Sequence, residues 1–283
     1  MITPEEERKV LARACIPEQI VSLMVLISKG EPFLIEDCLC YVKDNWLIFV
    51  GYPLESDLSS EKCETLLKAV LDRFKPEYLW FIGEQIPPSL LRSSSERESD
   101  RYYSLDLQSI EVKKELKRVV QRAARDLMVE RSQKISKGHR ELIDEFIKRE
   151  KPSPWIRALF LAMPDYVPHS QSAILLSAWN KKGELSAFYV VELGAKTFAT
   201  YVVGCHSKKH YVPQASDLLF SEMIHLAQES GKQSINLGLG VNEGIRRFKE
   251  KWGGAPFLKY EFCEHHTGFT RTLSVIKSLE GKL

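Results

Sequence analysis

Apolar and polar positions along this chain switch between a helical and a strand-like rhythm several times. Residues 4–14 carry a helical pattern, with Thr3 as the N-cap, Pro4 at the first position and three glutamates in the first turn. Three apolar, β-rich runs follow at 19–28, 32–42 and 45–53, parted by turn residues such as Lys29-Gly30 and Asp44-Asn45. They predict three consecutive strands, paired antiparallel. A serine-capped helix is expected over 59–74, with Cys63, Leu66, Leu67, Val70 and Phe74 at helical spacing, and a buried strand over 77–83. Residues 93–100 are polar and predict a loop, and 101–107 a short strand. From 109 to 131 one long basic helix is expected, then a second helix over 138–150 that stops before Pro152.

The back half repeats this grammar. Strands are expected over 171–180, 183–193 and 196–205, then a helix over 216–231 with Ser216 as its cap and Gly231 as its stop. A strand over 234–239, a short helix opened by Asn242 and a last strand over 255–264 complete it. Strand-strand-strand-helix-strand, read twice, predicts a duplicated α/β (α+β) fold with mostly antiparallel central sheets. The boundary falls near 108, giving domains 1–108 and 109–283.

Bulk properties exclude more than they assign. The 283 residues are 44% hydrophobic and 28% charged, a globular composition. No apolar run reaches the ~18 residues of a membrane span, and the acidic, polar start is unlike a secretory signal, so a cytoplasmic protein is expected. The six cysteines are scattered with no CxxC, which predicts reduced thiols and no metal site. The net charge of +2 conceals an asymmetry: residues 1–110 hold 12 Lys/Arg against 19 Asp/Glu, whereas 111–157 hold 14 against 8. A basic middle suits either a polyanion-binding face or a solvated helix.

Chemistry concentrates in "INLGLGVNEGIRRFKEKWGG" at 235–254. Its glycines at 238, 240 and 244 do not have dinucleotide spacing, too little chain follows for a Rossmann domain, and no Gly-Lys-Ser/Thr makes it a P-loop. Ile245, Phe248 and Trp252 are expected as the helix's buried stripe, leaving Arg246, Arg247, Lys249 and Lys251 on the other face.

Gly-Ile-x-x-Phe-Lys-x-x-Trp-Gly-Gly at 244–254 resembles the C-terminal signature of Fem-type peptidoglycan aminoacyltransferases, and a similar Phe-Lys element occurs in the C-terminal domain of phosphatidylglycerol lysyltransferases. Residues 215–238 are similar to the helix-and-strand segment that precedes that element, and the basic stretch at 109–131 lies where those proteins carry Arg-x-x-Arg-x-Ala runs. The resemblance implies two tandem GNAT-like acyltransferase domains. It implies a transferase moving an aminoacyl group from aminoacyl-tRNA to an amine or hydroxyl acceptor, with no tightly bound cofactor. The acceptor would be a small molecule, a peptidoglycan precursor or a lipid head group.

Under that resemblance Lys249 is a cation for the donor's phosphates or the transition-state oxyanion, or else a plain surface lysine. Lys208, Lys209, Arg246 and Arg247 are candidate phosphate contacts, with Asn242 at the start of the same helix. His206 and His210 are candidate bases, or ordinary loop histidines. Asp217 would either position an acceptor amine or favour its helix N-terminus. Cys205-His206 is not a nucleophile–base pair, because neighbours on a strand point to opposite faces. The sequence departs from acetyl-CoA enzymes at 205–216, where their glycine-rich pyrophosphate loop would lie and this chain has no glycine. An acyl-CoA donor through a divergent loop, and a non-catalytic ligand-binding relic, remain alternatives.

Overall fold

A computed structural model describes residues 2–55 and 59–267. The chain divides into two units. The first runs up to Tyr102 and includes Leu239–Val241 and the segment from Pro256 onward; the second comprises Tyr103–Gly238 and Asn242–Ala255.

The first unit opens with α1 (Pro4–Arg13), where Thr3 and Glu6 form a reciprocal capping box, Thr3 N donating to Glu6 Oε2 at 2.7 Å. After a 3₁₀ turn (Pro17–Gln19) come α2 (Val21–Ser28), β1 (Glu31–Ile35), β2 (Cys38–Lys43), β3 (Trp46–Gly51), α3 (Ser60–Phe74), β4 (Tyr78–Gly83), α4 (Pro88–Leu91) and β5 (Ser94–Asp106), whose last residues enter the second unit. The closing strand β11 (Ala255–His266) lies antiparallel to β4. β1, β2 and β3 form an antiparallel meander, and α3 carries the chain over to β4, parallel to β3. Cys63, Leu66, Leu67 and Val70 of α3 pack on Leu47, Phe49, Leu79 and Phe81.

Three expectations fail here for identifiable reasons. The run at 19–28 is α2 rather than a strand: eight continuous apolar-rich residues carry no period that separates helix from strand. Gln19 caps the preceding turn, its Oε1 accepting from the N–H groups of Cys15 and Ile16, and left-handed Lys29 ends the helix. The run at 32–42 is a hairpin, split by Glu36 at φ +50°. Residues 93–100 extend β5; they are polar because they are mostly solvent-exposed.

The second unit contains α5 (Lys114–Ala123), β6 (Leu127–Ser132), α6 (Lys137–Glu150), α7 (Pro154–His169), β7 (Ala173–Asn180), β8 (Leu185–Glu192), β9 (Phe198–His206), α8 (Ala215–Glu229), β10 (Ser234–Leu239) and α9 (Glu243–Lys251). β6 to β9 are successively antiparallel, and β10 returns parallel to β9. α5 and α8 cover one face, burying Leu116, Leu219, Met223 and Ile224 against Leu176, Ala187 and Val191. The duplication is thus real at the level of topology: a three-stranded antiparallel meander, a helix, then a strand parallel to the third.

The long helix expected over 109–131 ends at Ala123. From Leu127 the pattern alternates, Leu127 buried and Met128 exposed, and pairs as β6 with β7. α7 was hidden by Pro164 and Pro168, which lie inside it. Ser216 sits within α8, whose cap position is Gln214 at φ +62°. Among the described residues, no helix is long and apolar enough to cross a membrane.

Candidate active site at the fork between two parallel strands

The two parallel pairs differ in one respect that locates a site. In the first unit β3 and β4 stay paired for six residues, Trp46↔Tyr78 through Gly51↔Gly83. In the second unit the register of β10 with β9 covers Ser234–Asn236 against Phe198–Thr200, while β9 itself continues to His206. At the last rung the paired side chains are polar and buried, Thr200 at 1% and Asn236 at 2% exposure, and neither Thr200 Oγ1 nor Asn236 Nδ2 has a protein partner. A polar pair deep in an apolar strand couple is costly unless something bonds to it.

From that rung a chain of contacts leads to Lys249. Asn236 Oδ1 accepts from Gly238 N at 2.9 Å. Gly238 has φ +72°, a conformation glycine adopts without steric penalty, and its carbonyl accepts from Lys249 Nζ at 3.2 Å. The ammonium also lies 5.4 Å from the centroid of the Tyr103 ring, within cation–π range. Lys249 is 5% exposed, whereas Ile245, expected in the buried stripe, is 38% exposed. The helix therefore turns its lysine inward. Burying an ammonium costs several kcal/mol of desolvation that such contacts offset only in part.

The rest of the glycine-rich motif builds the scaffold. Phe248 and Trp252 pack on Phe220, with ring centroids 5.4 and 4.9 Å away. Gly254 brings its backbone close under α9: a Cβ there would stand 3.0 Å from the Lys249 carbonyl oxygen. Asn242 accepts from Ile245 N at 3.0 Å, so its oxygen serves as the helix cap. Asp217, 7% exposed, accepts from Trp252 Nε1 at 2.9 Å and from Lys251 Nζ, tying α8 to α9. Arg246 and Arg247 are exposed, and Arg247 pairs with Glu243 one turn back. The four basic side chains of α9 therefore do not share a face: two point to solvent, Lys251 holds Asp217, and Lys249 is inside.

The loop after β9 is a separate cluster. Glu145 of α6 accepts from Ser207 Oγ at 3.1 Å and from Lys208 N at 2.7 Å, and pairs with Arg149, which also donates to His206 O. A carboxylate thus occupies a backbone N–H of the loop where acetyl-CoA enzymes bind pyrophosphate. The Lys208 and Lys209 side chains are exposed. His206 stands at the end of β9, exposed, while Cys205 beside it is buried. Partial burial, then Arg149, hold the His206 imidazole below its ordinary value, and His210 contacts Glu184 at 3.1 Å. Asn236, Tyr103 and Glu145 escaped the sequence reading. Only Asn236 left a trace there, as the one amide in an apolar strand. Among the described residues no cluster of histidine, cysteine or carboxylate side chains could hold a metal ion.

No protein-family model and no curated protein sequence matches this chain. Solved structures do. L-PGS from Bacillus licheniformis aligns with a TM-score of 0.60 at 18% identity, over 99% of this chain and 96% of its own. FemX aligns with 0.61 at 12% identity, over 92% and 96%. The fold is that of the tandem GNAT-like proteins. A tandem GNAT protein from the clavulanic acid biosynthesis pathway aligns likewise, with a TM-score of 0.56 at 10% identity over 94% of each chain. The tandem fold thus matches the resemblance drawn from residues 215–260.

Proposed function

We propose that this protein is an aminoacyltransferase that moves an aminoacyl group from aminoacyl-tRNA to an amine or hydroxyl acceptor at the fork between β9 and β10. The observation that carries the reading is the inward-facing Lys249, set on the Gly238 carbonyl, together with Asn236, whose Oδ1 accepts from Gly238 N and whose Nδ2 has no protein partner. In the proposed reaction the acceptor attacks the ester carbonyl carbon, and the developing oxyanion is met by the Lys249 ammonium and the Asn236 N–H. The ester C–O bond then breaks, and the departing ribose oxygen takes the proton released by the acceptor, so no protein base is required. Similarity of fold to FemX and L-PGS supports this reading; so does the Glu145 carboxylate on the Lys208 N–H, which disfavours a pyrophosphate there.

Transfer assays with charged tRNA and with acetyl-CoA as donors, against a panel of amine and hydroxyl acceptors including peptidoglycan-precursor peptides and phosphatidylglycerol, test it. Product from charged tRNA alone, abolished in Lys249→Met, supports the reading. Product from acetyl-CoA alone replaces it with an N-acyltransferase, the activity that the tandem GNAT likeness also permits.

A further inference from the structure

α5 carries an unusual surface. Lys113, Lys114, Lys117, Arg118, Arg122 and Arg125 are all exposed, and among the described residues none of them takes part in an ion pair or a side-chain hydrogen bond. Some exposed or half-exposed cations elsewhere in the same unit find acids, as Arg131 does with Glu222 and Glu229 and Lys181 with Asp126; what sets α5 apart is that six cations fall within thirteen residues on and beside one helix. On α5 itself, Lys114, Arg118 and Arg122 recur every four residues, with Lys117 three after Lys114, so these cations share one helix face. Like charges at that spacing repel one another along the helix, and two lysines at its start, Lys113 and Lys114, oppose the helix dipole that Glu115 favours. Glu111 and Glu115 are the only acids from 111 to 125.

We infer that this face of α5 grips the phosphodiester backbone of an RNA duplex, the stem of the donor tRNA. The inference rests on the proposed use of aminoacyl-tRNA. Arginine and lysine rows without intramolecular partners suit a polyanion of repeating phosphates, whose counterions they displace. A membrane surface suits the helix less well. Its apolar side is already committed, with Leu116 and Ala123 buried in the core of the unit and Val120 packed against it, so no apolar face is left to enter a bilayer.

The test is fluorescence anisotropy of the full-length protein with uncharged tRNA across a salt series. It compares the wild type, the triple variant Lys117→Gln/Arg118→Gln/Arg122→Gln, and a charge-matched control, Lys29→Gln/Lys68→Gln/Lys75→Gln, in the first unit. Circular dichroism confirms folding, and Arg118→Glu/Arg122→Glu serves as a second variant. With three cations withdrawn from the phosphate backbone, the log–log salt slope should become shallower by about 2–3, and affinity at physiological salt should fall about tenfold or more, with the control unchanged. An unchanged slope in the α5 variants, or an equal weakening in the control, overturns the inference. If those variants bind normally while aminoacyl transfer proceeds, the inference alone fails. No tRNA binding by the wild type at low salt removes the aminoacyl-tRNA reading as well. Preferential binding to phosphatidylglycerol vesicles, abolished in the triple variant, overturns it in favour of a membrane surface.

Discussion

The indole N–H of Trp252 donates to the carboxylate of Asp217 at 2.9 Å, and this bond between α9 and α8 holds the helix that carries Lys249 in place. Lys251 donates to the same oxygen. Asp217→Ala should destabilise the protein by roughly 2–3 kcal/mol, because it strands a buried donor as well as removing a bond. Trp252→Phe should cost less, about 1 kcal/mol, and the double variant should show coupling of about 1 kcal/mol in urea denaturation. Additive losses would mean that the bond does not join the two helices.

Replacing Lys249 by Met keeps the buried volume and removes the charge. Stability should change little, since a buried ammonium is expensive to hold. Transfer should fall by about 100-fold or more, with Lys249→Arg failing to restore it because the wider guanidinium does not fit a site closed by Tyr103 and the Gly238 carbonyl. Steady-state rates beside melting temperatures decide this; an active Lys249→Met protein would remove the lysine from the mechanism.

Gly238 and Gly254 should respond differently to alanine. At Gly238 nothing lies within 4 Å of an added Cβ, so Gly238→Ala should cost only its left-handed conformation, about 1 kcal/mol. At Gly254 the methyl meets the Lys249 carbonyl at 3.0 Å and Leu237 Cδ1 at 2.7 Å, so the loss in urea denaturation should be larger. Equal losses at the two positions would contradict the packing described beneath α9.

His139 gives a pH-dependent prediction. It is 1% exposed, with Nε2 2.9 Å from Ser177 Oγ and Nδ1 2.7 Å from Ser136 Oγ. Burial pushes its pKa down to about 4. The unfolded chain therefore binds a proton near pH 6.5 that the folded chain refuses until about pH 4. Stability contributed by the neutral ring is complete above pH 6.5 and is lost as pH falls through that interval, by at most about 3 kcal/mol. In denaturation measured at pH 7.5 and pH 5, His139→Gln should show a smaller drop than the wild type. The same drop in both would place the titrating group elsewhere.

Much of this could be read from the chain. Ser59 and Asn242 cap α3 and α9 as their positions imply, and the duplicated order of elements was legible because strands and helices in both halves differ in period. What failed was local. α2 and the β1–β2 hairpin lie in apolar runs without a clear period, where a single left-handed residue decides the outcome. Lys249 was legible as a motif residue but not as a buried one, since nothing in a hydropathy pattern distinguishes a lysine turned inward from one turned out. Glu145 acts through partners remote in sequence and leaves no local trace, and Asn236 leaves only that of a lone amide in an apolar strand, its role resting on a strand pairing that stops.

The unequal lengths of the two parallel ladders set a limit on how the duplicated halves can differ. Opening the first unit to the same extent would require the rungs from Phe49↔Phe81 to Gly51↔Gly83 to be broken, stranding backbone donors and acceptors that no side-chain exchange could satisfy. The asymmetry between the halves is therefore written in main-chain pairing. A variant library confined to side chains would tune the fork of the second unit and leave the first sealed.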